Sequence, residues 1–205
     1  MPSMKKNSVF VFFCFVMISC GSKTFNTSDE MVKYINDEQN GYKYSKIINN
    51  VKYELLYRPT DLLVQQELND NYNSKQVRKV RDKYQKYMYF NLSISLNDKE
   101  LLTNVASDKA RFGEIVNELA FGMEGKINLF TQEKDTLKMS DFIYPRMYGM
   151  TNNTTLMVVY PRDKEALRGE ALNFIIQDLG FYTGEVKFKI NSRKIQNEPK
   201  LSFKI

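Results

Sequence analysis

Residues 90–96 alternate without a break: Phe90, Leu92, Ile94 and Leu96 are apolar, and Asn91, Ser93 and Ser95 between them are polar. A period of two puts all four apolar side chains on one side of an extended chain, whereas a helix would scatter them around its circumference. The segment reads as a half-buried strand with one wet face, which suits an antiparallel sheet. The pattern returns twice. Val51, Tyr53, Leu55 and Tyr57 alternate with Lys52, Glu54 and Leu56; Val186, Phe188 and Ile190 alternate with Glu185, Lys187 and Lys189. Asn49-Asn50 marks the turn of a β-hairpin over 42–57, because asparagine tolerates positive φ. Further strand candidates lie at 126–131, 137–144, 154–160, 172–177 and 201–205.

Helical periodicity is confined to a few stretches. Ser28 is placed to cap a short helix through Asn36, with Met31, Val32 and Ile35 on one face. Residues 61–68 form a second candidate. Residues 74–84 place Val77, Val80 and Tyr84 on one side and mostly lysine and arginine elsewhere. Ser107 caps a further helix with Phe112, Ile115, Val116, Leu119 and Met123 on one stripe, ended by Gly122 and Gly125. Helices do not alternate with strands, so a parallel βαβ sheet is disfavoured. The fold class is mainly β (α+β): an antiparallel β-sandwich with two or three inserted helices, spanning 42–205. Residues 21–28 lack periodicity and read as a flexible tether, so 20–41 is a tether with a short helix.

The 205 residues suffice for one domain, and 42% hydrophobic residues can fill its core. There is no histidine, and the two cysteines are Cys14 and Cys20. Ser8 to Ile18 is an apolar run of 11 residues behind Lys5 and Lys6. It is too short to span a bilayer, which takes about 20 residues, and has the length of a signal-peptide core. Residues 1–19 read as a signal peptide. Their removal would take Cys14, so no intramolecular disulfide could form. It would also take two of the 30 basic side chains and no acid, leaving 28 against 24, or +4. That mild excess is not a nucleic-acid footprint.

The leader ends in Met17-Ile18-Ser19-Cys20-Gly21. This resembles the lipobox of bacterial lipoproteins, with small Ser19 before the cysteine and Met17 in place of the usual leucine. The resemblance implies cleavage before Cys20, a diacylglycerol on its thiol and an acylated amine. Two or three acyl chains satisfy the two-signal requirement for stable anchoring. Gly21 stands where an aspartate would retain a lipoprotein on the inner membrane, so the resemblance implies the outer membrane, with the leaflet open. The Asn-, Lys- and Tyr-rich composition resembles envelope lipoproteins of Bacteroidota-type bacteria that have no assigned role.

Chemistry is narrowed by what is missing. Without histidine there is no serine–histidine triad and no histidine-containing zinc site. A lipidated Cys20 is no nucleophile. No Gly-x-Ser-x-Gly or phosphate-cradling glycine loop occurs. No cofactor and no metal are expected; the oxygen-rich run Asn69-Asp70-Asn71-Tyr72-Asn73 lacks the glycine and distal glutamate of a calcium loop. Candidates for a carboxylate pair are Asp135, Asp141, Asp163, Glu165 and Asp178; Glu114 and Glu118 share a helix face at i, i+4, where surface acids are commonplace. Tyr-Pro-Arg occurs twice, at 144–146 and 160–162, each closing a strand candidate. With Tyr148 these supply Tyr144, Arg146, Tyr160 and Arg162 as a candidate binding rim, since tyrosine and arginine dominate contact energies.

The expectation is an envelope lipoprotein on a membrane through its lipid, acting as a structural or protein-binding component, possible in a secretion or surface assembly. It binds no nucleic acid and is not an enzyme. The alternatives are a glycan or peptide hydrolase using paired carboxylates, and a lipid or small-molecule carrier. The basic helix 75–86 is a candidate for contact with anionic lipid, or simply a solvated face.

Overall fold

The computed structural model describes residues 22–68, 72–147 and 149–203. In chain order the elements are β1 (Thr24–Phe25), α1 (Ser28–Asn36), β2 (Lys43–Ile48), β3 (Val51–Arg58), α2 (Thr60–Glu67), α3 (Ser74–Tyr84), β4 (Tyr87–Leu96) and β5 (Lys99–Glu100). They continue with α4 (Leu101–Asn104), α5 (Lys109–Asn117), α6 (Met123–Lys126), β6 (Ile127–Phe130), β7 (Thr136–Leu137), β8 (Asp141–Ile143) and β9 (Thr154–Pro161). The last are β10 (Ala171–Ile176), β11 (Val186–Asn191), α7 (Ser192–Gln196) and β12 (Lys200–Leu201).

The fold is mainly β with helices, as the alternation predicts. One antiparallel sheet runs β2-β3-β4-β9-β8, with β5 folded back on β4, and a second runs β11-β10-β6-β7. Their apolar faces share one core: Tyr53, Phe90, Leu92 and Val158 from the first sheet, and Leu129, Phe174, Ile176 and Phe188 from the second. Phe90 and Phe174 meet at 5.6 Å between ring centres, and Tyr160 stands edge-on to both at 6.4 Å. These three rings pack against one another between the sheets.

The hairpin of β2 and β3 forms as read. Ile48 pairs with Val51 across Asn49 and Asn50, whose φ values are 51° and 62°. Both turn residues are left-handed, the geometry that matches strand twist in a two-residue loop. Asn50→Val forces a β-branched side chain into that conformation. It should cost about 1–2 kcal/mol, seen as a lower denaturant midpoint at an unchanged slope.

Several expectations are corrected. Residues 23–25 are not a free tether. Lys23 O accepts from Lys200 N at 2.9 Å and Phe25 O from Ser202 N at 2.8 Å, so β1 and β12 form a short parallel pair. Phe25, Met31 and Ile35 join the main core, so the folded body begins well before residue 42. The cap of α1 is Thr27, whose hydroxyl accepts from Glu30 N, with Ser28 already inside the helix. Asp108, not Ser107, caps α5. The candidate strand 137–144 splits between two sheets, as β7 and β8.

The helix read over 107–123 does not stop at Gly122. A π-helical turn, Glu118–Gly122, joins α5 to α6. Its buried residues, Ile115, Leu119 and Met123, are spaced by four, which in a straight α-helix drifts about 40° per step. The wider turn absorbs that drift and keeps all three on the core, while Phe121 is thrown outward.

Candidate functional site

The two Tyr-Pro-Arg copies do not make a rim. Tyr160 alternates inward on β9 and is fully buried, its hydroxyl reaching Ile127 O at 3.4 Å. Burial, then the charge of Glu124, raises its pKa. Arg162 turns into the body and pairs with Glu198 at 2.8 Å. Tyr144 packs against the main core, Arg146 is exposed, and Tyr148 lies outside the described residues, as does Cys20. Of the oxygen-rich run 69–73, read as a plain polar loop, residues 69–71 lie outside the described residues.

Arg162 belongs to a buried polar staple. Its Nη2 donates to Tyr57 Oη at 2.5 Å, and Tyr57 Oη donates to Glu198 Oε2 at 2.7 Å. The other Glu198 contacts are Thr60 N at 2.9 Å and Thr60 Oγ1 at 2.8 Å. Burial, then the neighbouring carboxylate, pushes the Tyr57 hydroxyl well above its ordinary pKa. Burial opposes the Arg162 charge, but Tyr57 and Glu198 outweigh it and its pKa is raised. A second staple lies beside it: Arg81 grips Asp61 through two hydrogen bonds at 2.7 and 2.9 Å, and Asp61 Oδ2 also accepts from Leu201 N at 2.8 Å. Together these bind the C-terminal segment to β3, β9, α2 and α3. Their role is to hold the entry end, where β1 meets β12.

Of the five candidate acids, Asp135, Asp163 and Glu165 line one cleft of about 440 Å³. All three are exposed. Asp163 Oδ1 accepts from Glu165 N at 2.7 Å and Ala166 N at 3.2 Å, starting a 3₁₀ turn, and Glu165 pairs with Arg168 at 2.5 Å. The arrangement shapes a loop; a general acid of a glycosidase instead sits in apolar surroundings that hold its proton. Asp141 lies apart, on β8. Among the described residues, no group of three or more acidic or thiol side chains is placed to hold a metal ion.

The fifth acid, Asp178, organises the most distinctive surface. Its Oδ1 accepts from Gly180 N and Phe181 N, each at 2.9 Å. Within 178–184, three residues have positive φ: Gly180 at 83°, Tyr182 at 59° and Gly184 at 63°. Arg111 Nη2 donates to Gly180 O at 2.8 Å, and a Cβ on Gly180 would lie 2.0 Å from that nitrogen. Tyr53 and Thr183 hydroxyls meet at 3.0 Å, and Asn49 Nδ2 donates to Tyr182 O at 2.5 Å. The loop is thus fastened from the helix, the sheet and the hairpin. It holds a bulky aromatic in a conformation that costs about 1–3 kcal/mol and leaves its side chain 87% exposed.

This loop sits at one end of the body, with the 49–50 and 97–98 turns. Asn97 N donates to Asn50 O at 3.1 Å, and the helix carrying Arg111 returns to it where Gln177 N donates to Lys126 O at 2.8 Å. Among the described residues, the four most exposed large apolar side chains belong to segments at this end: Tyr182 at 87%, Met150 at 80%, Phe121 at 73% and Ile47 at 69%. Single exposed apolar side chains are ordinary; the fixed backbone under Tyr182 is what sets that one apart. The entry end is elsewhere: rings run Phe25–Tyr34–Tyr42–Tyr57, reaching β3 near its far terminus. From Val51 to Arg58, β3 covers about 24 Å.

Sequence reading missed this loop. The available signal was Asp178 with glycine at the second and sixth positions after it, an Asx-turn pattern between two strand candidates. No protein-family model matches the chain, and neither a curated protein nor a solved structure matches it. Among the described residues no helix is long and apolar enough to cross a membrane.

Proposed function

We propose that this chain is an envelope lipoprotein, held on the outer membrane by lipid on Cys20, and that it binds a protein partner through the end bearing the 178–184 loop. Its role is structural rather than catalytic. The reading rests on one observation: a stapled loop displays Tyr182 at the end of the body opposite the chain's entry. Lys23 is already paired to β12. Lys23 lies three positions after Cys20, a reach of at most about 10 Å, so lipid there holds the entry end close to the membrane. The Tyr182 end then faces away, toward whatever the protein meets. A rigid aromatic anchor suits such a contact, because little side-chain entropy is lost when it is buried.

The expected result is that wild-type protein, solubilised from envelopes, retains a partner that Tyr182→Ala loses by tenfold or more in affinity, about 1.4 kcal/mol or above. The folded stability of the variant should stay within about 0.5 kcal/mol, since the side chain is exposed. Tyr87→Ala, at 37% exposure away from this end, should leave retention unchanged. Equal retention by the Tyr182 variant would exclude this surface.

A further inference from the structure

The helix α3 carries four of its five cations on the side away from the body. At about 100° per residue, Val77, Val80 and Tyr84 share the inward side, and Lys75, Arg78, Lys79 and Lys83 spread over the outward one. Lys86 follows just beyond the helix. Arg81 faces Asp61 and Lys83 pairs with Glu67. Lys75, Arg78, Lys79 and Lys86 are exposed and form no ion pair with the described acids. Asp82 is the one acid within the helix.

The position of α3 matters as much as its charge. Phe25 O accepts from Ser202 N, Leu201 N donates to Asp61, and Asp61 holds Arg81. Tyr72, just before α3, meets the Phe203 ring edge-on at 5.8 Å, and the Arg81 guanidinium lies 5.3 Å from the same ring. Tyr72 also shares a small cleft with Asn26, Thr27 and Ser28. The cationic helix is therefore fastened directly beside the first described residues of the chain. Exposed Lys23 and Lys200 add to the positive charge there, and Asp29 and Glu30 of α1 subtract from it.

We infer that the outward face of α3 rests on anionic phospholipid head groups and fixes the orientation of the body on its membrane. The inference rests on the lipid-anchor reading, because only an anchor near Lys23 keeps α3 at head-group height. A basic residue near an anionic leaflet favours the docked state by roughly fivefold, and the contributions of several compound. The effect is screened by salt over about one Debye length, ~10 Å at 0.1 M. Docking of this face leaves the Tyr182 end free, since the two lie at opposite ends of β3.

The test uses the full-length chain purified from membranes and placed in vesicles of phosphatidylcholine alone or mixed with phosphatidylglycerol. A fluorophore is attached through Lys79→Cys or, as control, Met150→Cys, with a quencher fixed at head-group depth. Palmitate incorporation is measured on the same preparation. The expected result is quenching at position 79 that rises severalfold with phosphatidylglycerol and falls at high salt. Quenching at position 150 stays low throughout. Glutamine at Lys75, Arg78 and Lys86 should remove most of the difference. Equal quenching at position 79 in neutral and anionic vesicles, with palmitate present, would overturn the α3 contact and leave the anchor standing. Absence of palmitate would overturn the anchor and, with it, the placement of α3.

Discussion

Arg162→Met is expected to lower the unfolding free energy by about 3–5 kcal/mol, because it leaves a buried carboxylate without its counter-charge. The Glu198 and Arg162 side chains are only 11% and 17% exposed. With the guanidinium gone, the Glu198 charge keeps hydrogen bonds from Tyr57 and Thr60 but no longer has an opposing charge in contact. For a domain of this size the loss corresponds to roughly 10 °C in Tm. Denaturant unfolding of the variant measures it directly. The double variant Arg162→Met/Glu198→Leu removes the orphaned charge but leaves the Tyr57 hydroxyl and Thr60 N without their acceptor, so it should recover only part of the loss. A change below about 1 kcal/mol in the single variant would mean that the staple contributes little.

Alkaline unfolding gives the second large effect. Burial raises the hydroxyl pKa of Tyr42, Tyr57 and Tyr160 above the ordinary value of 10. At Tyr57 the Glu198 carboxylate adds to the shift. A folded pKa above the unfolded one means that folding favours the protonated form. The contribution is complete below pH 10, where neither state ionises. It is lost as pH rises past 10, because the unfolded chain then releases protons that the fold retains. Each such tyrosine removes about 1.4 kcal/mol per pH unit, so the three together remove about 4. Against a typical total of ~5–15 kcal/mol, this predicts cooperative unfolding within about two units above pH 10. Tyr89, pushed up to about 12 by burial and its tyrosine neighbours, acts in the same direction. Tyrosinate absorbance and far-ultraviolet circular dichroism should therefore change together. Gradual ionisation of these tyrosines near pH 10, with the dichroism unchanged, would contradict their burial.

The strands were legible because their signal is local. Each of Val51, Tyr53, Leu55 and Tyr57 is buried, and so are Val186, Phe188 and Ile190. The Asn49-Asn50 turn was legible for the same reason: its two residue types permit what the backbone needs. What stayed hidden depends on distant partners. Nothing local in Lys-Thr-Phe at 23–25 says that residues 200–202 will pair with it. Arg162 reads as a surface residue until Glu198, 36 positions later in the sequence, is brought alongside. The two Tyr-Pro-Arg copies look alike as text and differ in burial, because β9 lies inside its sheet whereas Arg146 follows the edge strand β8. The 178–184 loop escaped because Tyr182 adopts a backbone conformation that its residue type disfavours. Such a choice is set by Asp178, Arg111 and Asn49 acting together rather than by local preference.

Metabolic labelling with palmitate measures most directly whether lipid holds the entry end at the membrane. Wild-type protein should carry the label and stay in the membrane fraction, whereas Cys20→Ala should carry none and leave that fraction. An unlabelled wild type, or a Cys20→Ala variant that remains on the membrane, would contradict the account.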